Sequence, residues 1–102
     1  MRQDAIRQSA EGERCRVKIP GVCNGDPQTV VLAHLNGAGI SRKAPDWQAA
    51  YACSGCHEWL DGRYAQEGFD RETRDLMHLK AVIATQRALI DKGLIEVHGG
   101  KA

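Results

Sequence analysis

The spacing of apolar residues changes along this chain, and each change marks an element. Residues 29–35, TVVLAHL, form a continuous β-branched and apolar run, the strongest strand signal in the sequence. Residues 47–53, WQAAYAC, make a second strand candidate, and residues 15–19, CRVKI, a short third one that enters a turn. Pro20, Gly21, Asn24, Gly25, Asp26 and Pro27 make residues 20–27 turn-rich, and residues 36–46, NGAGISRKAPD, read as a loop. Two shorter helical segments are expected. Residues 2–10 predict a helical turn ended by Gly12. Ser54 is placed to cap a helix carrying Cys56, His57, Trp59, Leu60 and Asp61, which closes near Gly62.

From residue 70 the period becomes helical over the longest segment, 70–92. Leu76, Leu79, Ile83, Gln86 and Ile90 share one stripe, with Val82 and Leu89 beside it. That stripe is expected to cover the core, and the helix also offers a surface for a homodimer. Asp70 and Glu72 suit its N-terminus, while Lys92 and Gly93 close it. Strand, strand, loop, strand, helix and long helix, in that order, predict a small α+β unit and not a parallel α/β sheet.

Length and composition narrow the picture. A chain of 102 residues is expected to be one domain with a modest core, which a metal staple would help to fold. The formal charge is +1, from 14 basic and 13 acidic residues, so any nucleic-acid contact has to come from local cations. Aromatic residues are 5 %, too few for base stacking to be the main binding mode. No apolar run approaches the roughly 20 residues that span a bilayer. The polar start, MRQDAIRQSAEGER, lacks the apolar region of a secretion signal, so a cytoplasmic setting without membrane contact is expected.

In that setting thiols stay reduced, and an even set of cysteines points to metal before disulfides. The four are Cys15, Cys23, Cys53 and Cys56, spaced C-x7-C and then C-x2-C. Four thiolates close a tetrahedral structural zinc site, and the proline and glycine between Cys15 and Cys23 can bring those sulfurs together. A thioredoxin-like pair would need a βαβ context that is absent. CSGCH matches the haem-attachment pattern, but that chemistry belongs to exported proteins and leaves Cys15 and Cys23 without a role.

Two of the four histidines stand out. His78 lies mid-helix and His98 in the tail, where packing or solvated roles are expected. His34 ends the best strand, and His57 follows two zinc ligands directly. His57 and Asp61, four residues apart on a helix, share a face, and imidazole with carboxylate suits a divalent cation that keeps open positions. Glu58 lies on a neighbouring face.

A strand ending in histidine, a loop, a polar residue and then C-x-x-C-H on a helix resembles the HNH endonucleases of the ββα-metal fold. CRVKIPGVCNGDPQTVVLAH followed by KAPDWQAAYACSGCHEWLD is more closely similar to the small YbcO-type nucleases of lambdoid phages and prophages. The resemblance spans about residues 14–61. It implies a single HNH-like domain with a zinc-stapled ββα-metal core over about residues 14–62 and a long C-terminal helix. It also implies a bacterial host cell and hydrolysis of phosphodiester bonds in DNA with a divalent ion such as Mg²⁺ or Mn²⁺. Under it His34 is the general base, His57 and Asp61 hold the catalytic ion, and Asp46 orients the base, with Gln48 and then Asn36 as alternatives. Arg42, Lys43 and Arg63 are the candidate phosphate contacts. Ala33 stands where many HNH enzymes place a metal ligand before the base. A catalytically silent zinc module that binds DNA or a protein partner is the competing expectation.

Overall fold

The computed structural model describes residues 3–35 and 44–98. Helix α1 (Gln3–Ser9) leads through a bend-rich segment to a 3₁₀ turn at Pro27–Thr29 and strand β1 (Val31–His34). A second 3₁₀ turn, Asp46–Gln48, opens strand β2 (Ala49–Ala52), and helix α2 (Ser54–Glu58) comes directly after it. A wide π-type turn, Trp59–Arg63, and the short α3 (Tyr64–Gln66) connect to the long α4 (Arg71–Asp91). No described helix is long and apolar enough to cross a membrane.

The β-branched run and the segment before Cys53 pair as the sequence suggests. β1 and β2 form an antiparallel two-stranded sheet with Leu32 opposite Tyr51 and His34 opposite Ala49. Residues 15–19 depart from expectation, because they form bends and no strand. Their work is local: Ile19–Val22 is a tight turn closed by Val22 N–H to Ile19 C=O at 3.0 Å, with Pro20 second and Gly21 at φ +75° third. That left-handed third position is what a type II turn demands of a glycine.

A two-stranded sheet cannot stand alone in water, so its outward backbone groups need partners. Tyr51 N–H donates to Thr85 Oγ1 on α4 at 2.9 Å, and Tyr51 C=O accepts from Arg16 N–H at 2.8 Å. Thr85 Oγ1 in turn donates to Ala81 C=O at 2.8 Å. The Tyr51 hydroxyl lies 2.7 Å from Ser9 Oγ, which ties α1 to the sheet.

α4 keeps the boundaries the sequence suggests, since Asp70 caps it by accepting from Thr73 N–H at 2.8 Å and Lys92 ends it. Its orientation is different. The buried face is Arg74, His78, Ala81, Val82, Thr85, Ala88 and Leu89. Leu76, Leu79, Ile83 and Ile90 are 52, 47, 59 and 44 % exposed, so the expected core stripe faces outward, and only Val82 and Leu89 beside it go in. The cause is the surface α4 meets. α4 packs against β2, and Thr85 must face the sheet to accept from Tyr51 N–H, which turns the Ala81–Thr85–Ala88 side inward. The rest of the core gathers Ile6, Val17, Ile19, Leu32, Tyr51, Trp59 and Leu60. Trp59 packs edge-on to Phe69 at 5.6 Å and donates from Nε1 to Glu67 Oε1 at 3.1 Å.

Candidate metal centre and active site

The four cysteines, far apart in sequence, converge with all sulfurs within 4.8 Å of one another. A tetrahedral zinc with Zn–S bonds of about 2.3 Å puts its sulfurs about 3.8 Å apart. Cys53 Sγ lies 3.8 Å from Cys23 Sγ. The donor set, spacing and burial all fit a structural zinc ion held by Cys15, Cys23, Cys53 and Cys56.

Backbone N–H groups surround these sulfurs, as thiolates need. Ile19 N–H donates to Cys56 Sγ, Asn24 N–H to Cys53 Sγ and Cys56 N–H to Cys53 Sγ, each at 3.4 Å, and Lys18 N–H to Cys15 Sγ at 3.5 Å. Hydrogen bonding with Cys56 holds the Cys15 thiol far below its ordinary range, and the same contact pushes Cys56 up. Thiols this close compete for charge, which a divalent cation removes by replacing their protons. Cys53 is also the N-cap of α2, where the sequence suggests Ser54. Its sulfur takes the orphan N–H of Cys56, and Ser54 Oγ instead accepts from Asn24 Nδ2 at 2.8 Å.

Gly55 explains how closely the two cysteine segments pack. A Cβ added there would overlap the backbone carbonyl oxygen of Val22. Glycine is required by this approach of helix to loop.

At the other end of β1, His34 Nε2 lies 2.8 Å from Asp46 Oδ1. Asp46 is 8 % exposed, and its carboxyl is held below the ordinary value of 3.8 chiefly by His34, against the cost of burial and with help from the Arg7 charge. An ionised Asp46 only accepts, so His34 carries its proton on Nε2 and presents Nδ1 as the basic nitrogen. Arg7 Nη2 reaches the same Oδ1 at 3.5 Å, while Oδ2 is buried with no hydrogen-bond partner among the described residues. Gln48 contributes through its backbone, its carbonyl accepting from Leu35 N–H at 3.0 Å. Asn36, Arg42 and Lys43 lie outside the described residues.

His57 Nδ1 and Asp61 Oδ2 are 3.6 Å apart and both reach solvent. α2 runs on from Glu58 into the wider π-type turn that carries Asp61 and breaks at Gly62, so the two side chains still meet. Imidazole and carboxylate are donor types that divalent cations accept, and here the two stand side by side within reach of solvent. Arg63 is bracketed by Glu58 at 3.1 Å and Glu67 at 3.5 Å, which offsets much of its charge. Glu58 is therefore engaged by Arg63, and pairs away from Asp61.

His78 is buried with Nε2 2.8 Å from Ala33 C=O, a packing role with a specific partner. Arg7, Arg74 and His78 are contacts that no sequence pattern announces. Each joins elements distant along the chain.

Known proteins carry the same arrangement of sequence. Residues 4–94 match the model of a family described as "Putative nuclease YbcO". Proteins with that description from Escherichia coli K12 and from Enterobacteria phage 82 are each 38 % identical over 96 residues, which covers 89 % of this chain and 96 % of each of them. The solved structure of a "putative bacteriophage protein" from Escherichia coli K-12 MG1655 superposes with a TM-score of 0.71 at 38 % identity, over 87 % of this chain and 100 % of that one.

Proposed function

Because the chain belongs to the YbcO nuclease family, we propose that it is a metal-dependent HNH-type endonuclease that hydrolyses phosphodiester bonds in phage or prophage DNA. The observation that carries this reading is the His34–Asp46 pair, which turns a histidine at a strand end into an oriented base. Asp46 holds the Nε2–H and stabilises the imidazolium that forms when Nδ1 takes a proton from water. Arg7 adds positive charge beside the same Asp46 oxygen and favours its ionised form.

His57 and Asp61 are the residues that would hold the catalytic ion. Such an ion, when bound, supplies positive charge beside the scissile phosphate and the leaving 3′ oxygen. Cys15, Cys23, Cys53 and Cys56 would hold a structural zinc, which would join α2 to the Cys15–Cys23 loop so that His57 starts from a fixed point. Arg42 and Lys43 are the proposed phosphate contacts, which read no sequence, and Arg63 joins them only by leaving Glu58 and Glu67. Ala33 in place of a ligand leaves His57 and Asp61 as the two protein ligands.

Plasmid nicking by purified protein in Mg²⁺, Mn²⁺ or Ni²⁺ tests this directly. Wild-type protein is expected to nick, and His34→Ala and His57→Ala to fall by about 100-fold or more while keeping zinc and fold. Cleavage that survives either substitution rules out the assignment. A folded, zinc-loaded wild type that binds DNA but never cuts it would favour the silent zinc module.

A further inference from the structure

Two buried polar side chains on α4, one turn apart, reach the backbone just before two residues of the proposed site. Arg74 Nη1 donates to Leu60 C=O at 2.9 Å, and Leu60 precedes Asp61. His78 Nε2 donates to Ala33 C=O at 2.8 Å, and Ala33 precedes His34. Arg74 and His78 are 8 and 2 % exposed. Each carries a desolvation cost that an apolar residue would avoid, so these bonds need a reason beyond filling space.

Resting on the endonuclease reading above, we propose that Arg74 and His78 are positioning residues that set the cation-holding turn and the base-bearing strand at a fixed separation. Arg74 and His78 lie about 6 Å apart along the axis of α4, and each holds one of the two carbonyls, so one rigid helix carries both anchors. A zinc held by the four cysteines would not do this, because Cys53 and Cys56 lie at the start of α2, more than a turn before Asp61. The wide turn at Trp59–Arg63 departs from regular helix, so Asp61 is not held by α2 alone. Arg74 is itself locked, with Nε on Asp75 Oδ1 at 2.6 Å and its guanidinium over the Tyr64 ring at 4.8 Å. Burial keeps His78 neutral, so its Nε2–H is a fixed donor to a carbonyl that can only accept.

The test separates this idea from the nuclease reading by using two readouts besides cleavage. Mn²⁺ titration followed by electron paramagnetic resonance reports the His57–Asp61 pair, with His57→Ala as the zero. Nitrogen-15 NMR of the His34 ring reports its Nε2–H tautomer. Arg74→Met is expected to keep zinc and fold while weakening Mn²⁺ binding about 10- to 100-fold, the usual effect of losing a residue behind a ligand. His78→Leu is expected to leave Mn²⁺ affinity alone and lose the single His34 tautomer, and His78→Gln, which restores a donor, to recover it. Folded variants with wild-type Mn²⁺ affinity and an unchanged His34 ring overturn the proposal, whether or not the wild type cuts DNA. Should Arg74→Met or His78→Leu lose zinc and unfold, Arg74→Lys and His78→Gln decide. Retaining a donor, they have to match the wild type in both readouts, and a folded variant that does not is contrary evidence.

The outer face of α4 carries a second, independent inference. Leu76, Ile83 and Ile90 repeat every seven residues, with Leu79 and Gln86 three residues after the first two, which are the a and d positions of a heptad. All four apolar members are about half exposed, and Trp47 and Val97 extend the surface beside a cleft of about 400 Å³ that also includes Gln86 and Ile90. We infer that this stripe pairs in parallel with α4 of a second copy of the chain. Parallel pairing sets Asp75, which is 60 % exposed and gives only Oδ1 to Arg74, against Lys80 of the other copy, twice by symmetry, whereas antiparallel pairing opposes Lys80 and Arg87. Sedimentation equilibrium is expected to show a dimer that Ile83→Asp dissociates, that Lys80→Asp weakens, and that Lys80→Asp with Asp75→Lys restores. A monomeric wild type, an Ile83→Asp dimer, or no restoration by the double exchange excludes it.

Discussion

Replacing Gly55 with alanine sets two effects of opposite sign against each other. In the helix, alanine is preferred to glycine by about 0.5–1 kcal/mol, and less in the first turn, where Gly55 sits. Against that, the new Cβ meets Val22 C=O well inside the roughly 3.3–3.6 Å at which carbon and carbonyl oxygen ordinarily approach. The obstacle is backbone, so no rotamer relieves it, and loop and helix have to part by something on the order of 1 Å. Both sides are tied, because Ile19 N–H and Asn24 N–H donate to Cys56 and Cys53 sulfurs across that gap. Overpacking of this kind costs about 1–3 kcal/mol. The net loss is therefore about 1–2 kcal/mol, or a Tm fall of roughly 5–15 °C in a domain of this size. Circular dichroism melts of the zinc-loaded protein measure it, and competition with a chromophoric chelator reports the accompanying drop in zinc affinity. Gly12→Ala is the control, with open space around it, a left-handed φ of +79° and no part in the zinc site. It loses stability but not zinc affinity. An unchanged or higher Tm for Gly55→Ala would refute the steric argument.

Three other perturbations have directions set by the same contacts. Cys56→Ser is expected to abolish zinc binding and cooperative unfolding together, because binding energy for structural zinc is folding energy; metal analysis with a urea titration checks both. Thr85→Val keeps shape but leaves Tyr51 N–H buried without an acceptor, at a cost of about 1–3 kcal/mol in urea unfolding and faster hydrogen exchange at that amide. Asp46 has a folded pKa below its unfolded value of 3.8, so its contribution is fully present above that pH and fades as pH falls through the lower folded value. The stability difference between wild type and Asp46→Asn is thus expected to shrink as pH falls below about 4; a difference that grows there contradicts the sign.

Much of the architecture is written in short-range patterns. The run before His34 and the segment before Cys53 pair as strands, Asp70 and Lys92 bound α4, and the cysteine spacing foretells the four-sulfur cluster. Strand propensity, helix capping and thiolate chemistry each act within a few residues, so one chain read in order displays them. His57 with Asp61 was legible for the same reason, being a contact one helical turn long.

Which face of α4 turns inward was decided elsewhere. Periodicity locates a stripe but does not say what opposes it, and here the edge of β2, where Tyr51 N–H needs the Thr85 hydroxyl, draws Ala81, Thr85 and Ala88 inward and leaves Leu76, Leu79, Ile83 and Ile90 outside. The same holds for the partners of Asp46, where Arg7 and His34 both reach Oδ1, and for the Arg74 and His78 bonds to Leu60 and Ala33. These contacts join residues 12 to 45 positions apart. Their energies depend on burial and geometry that exist only once the helices and the sheet have packed.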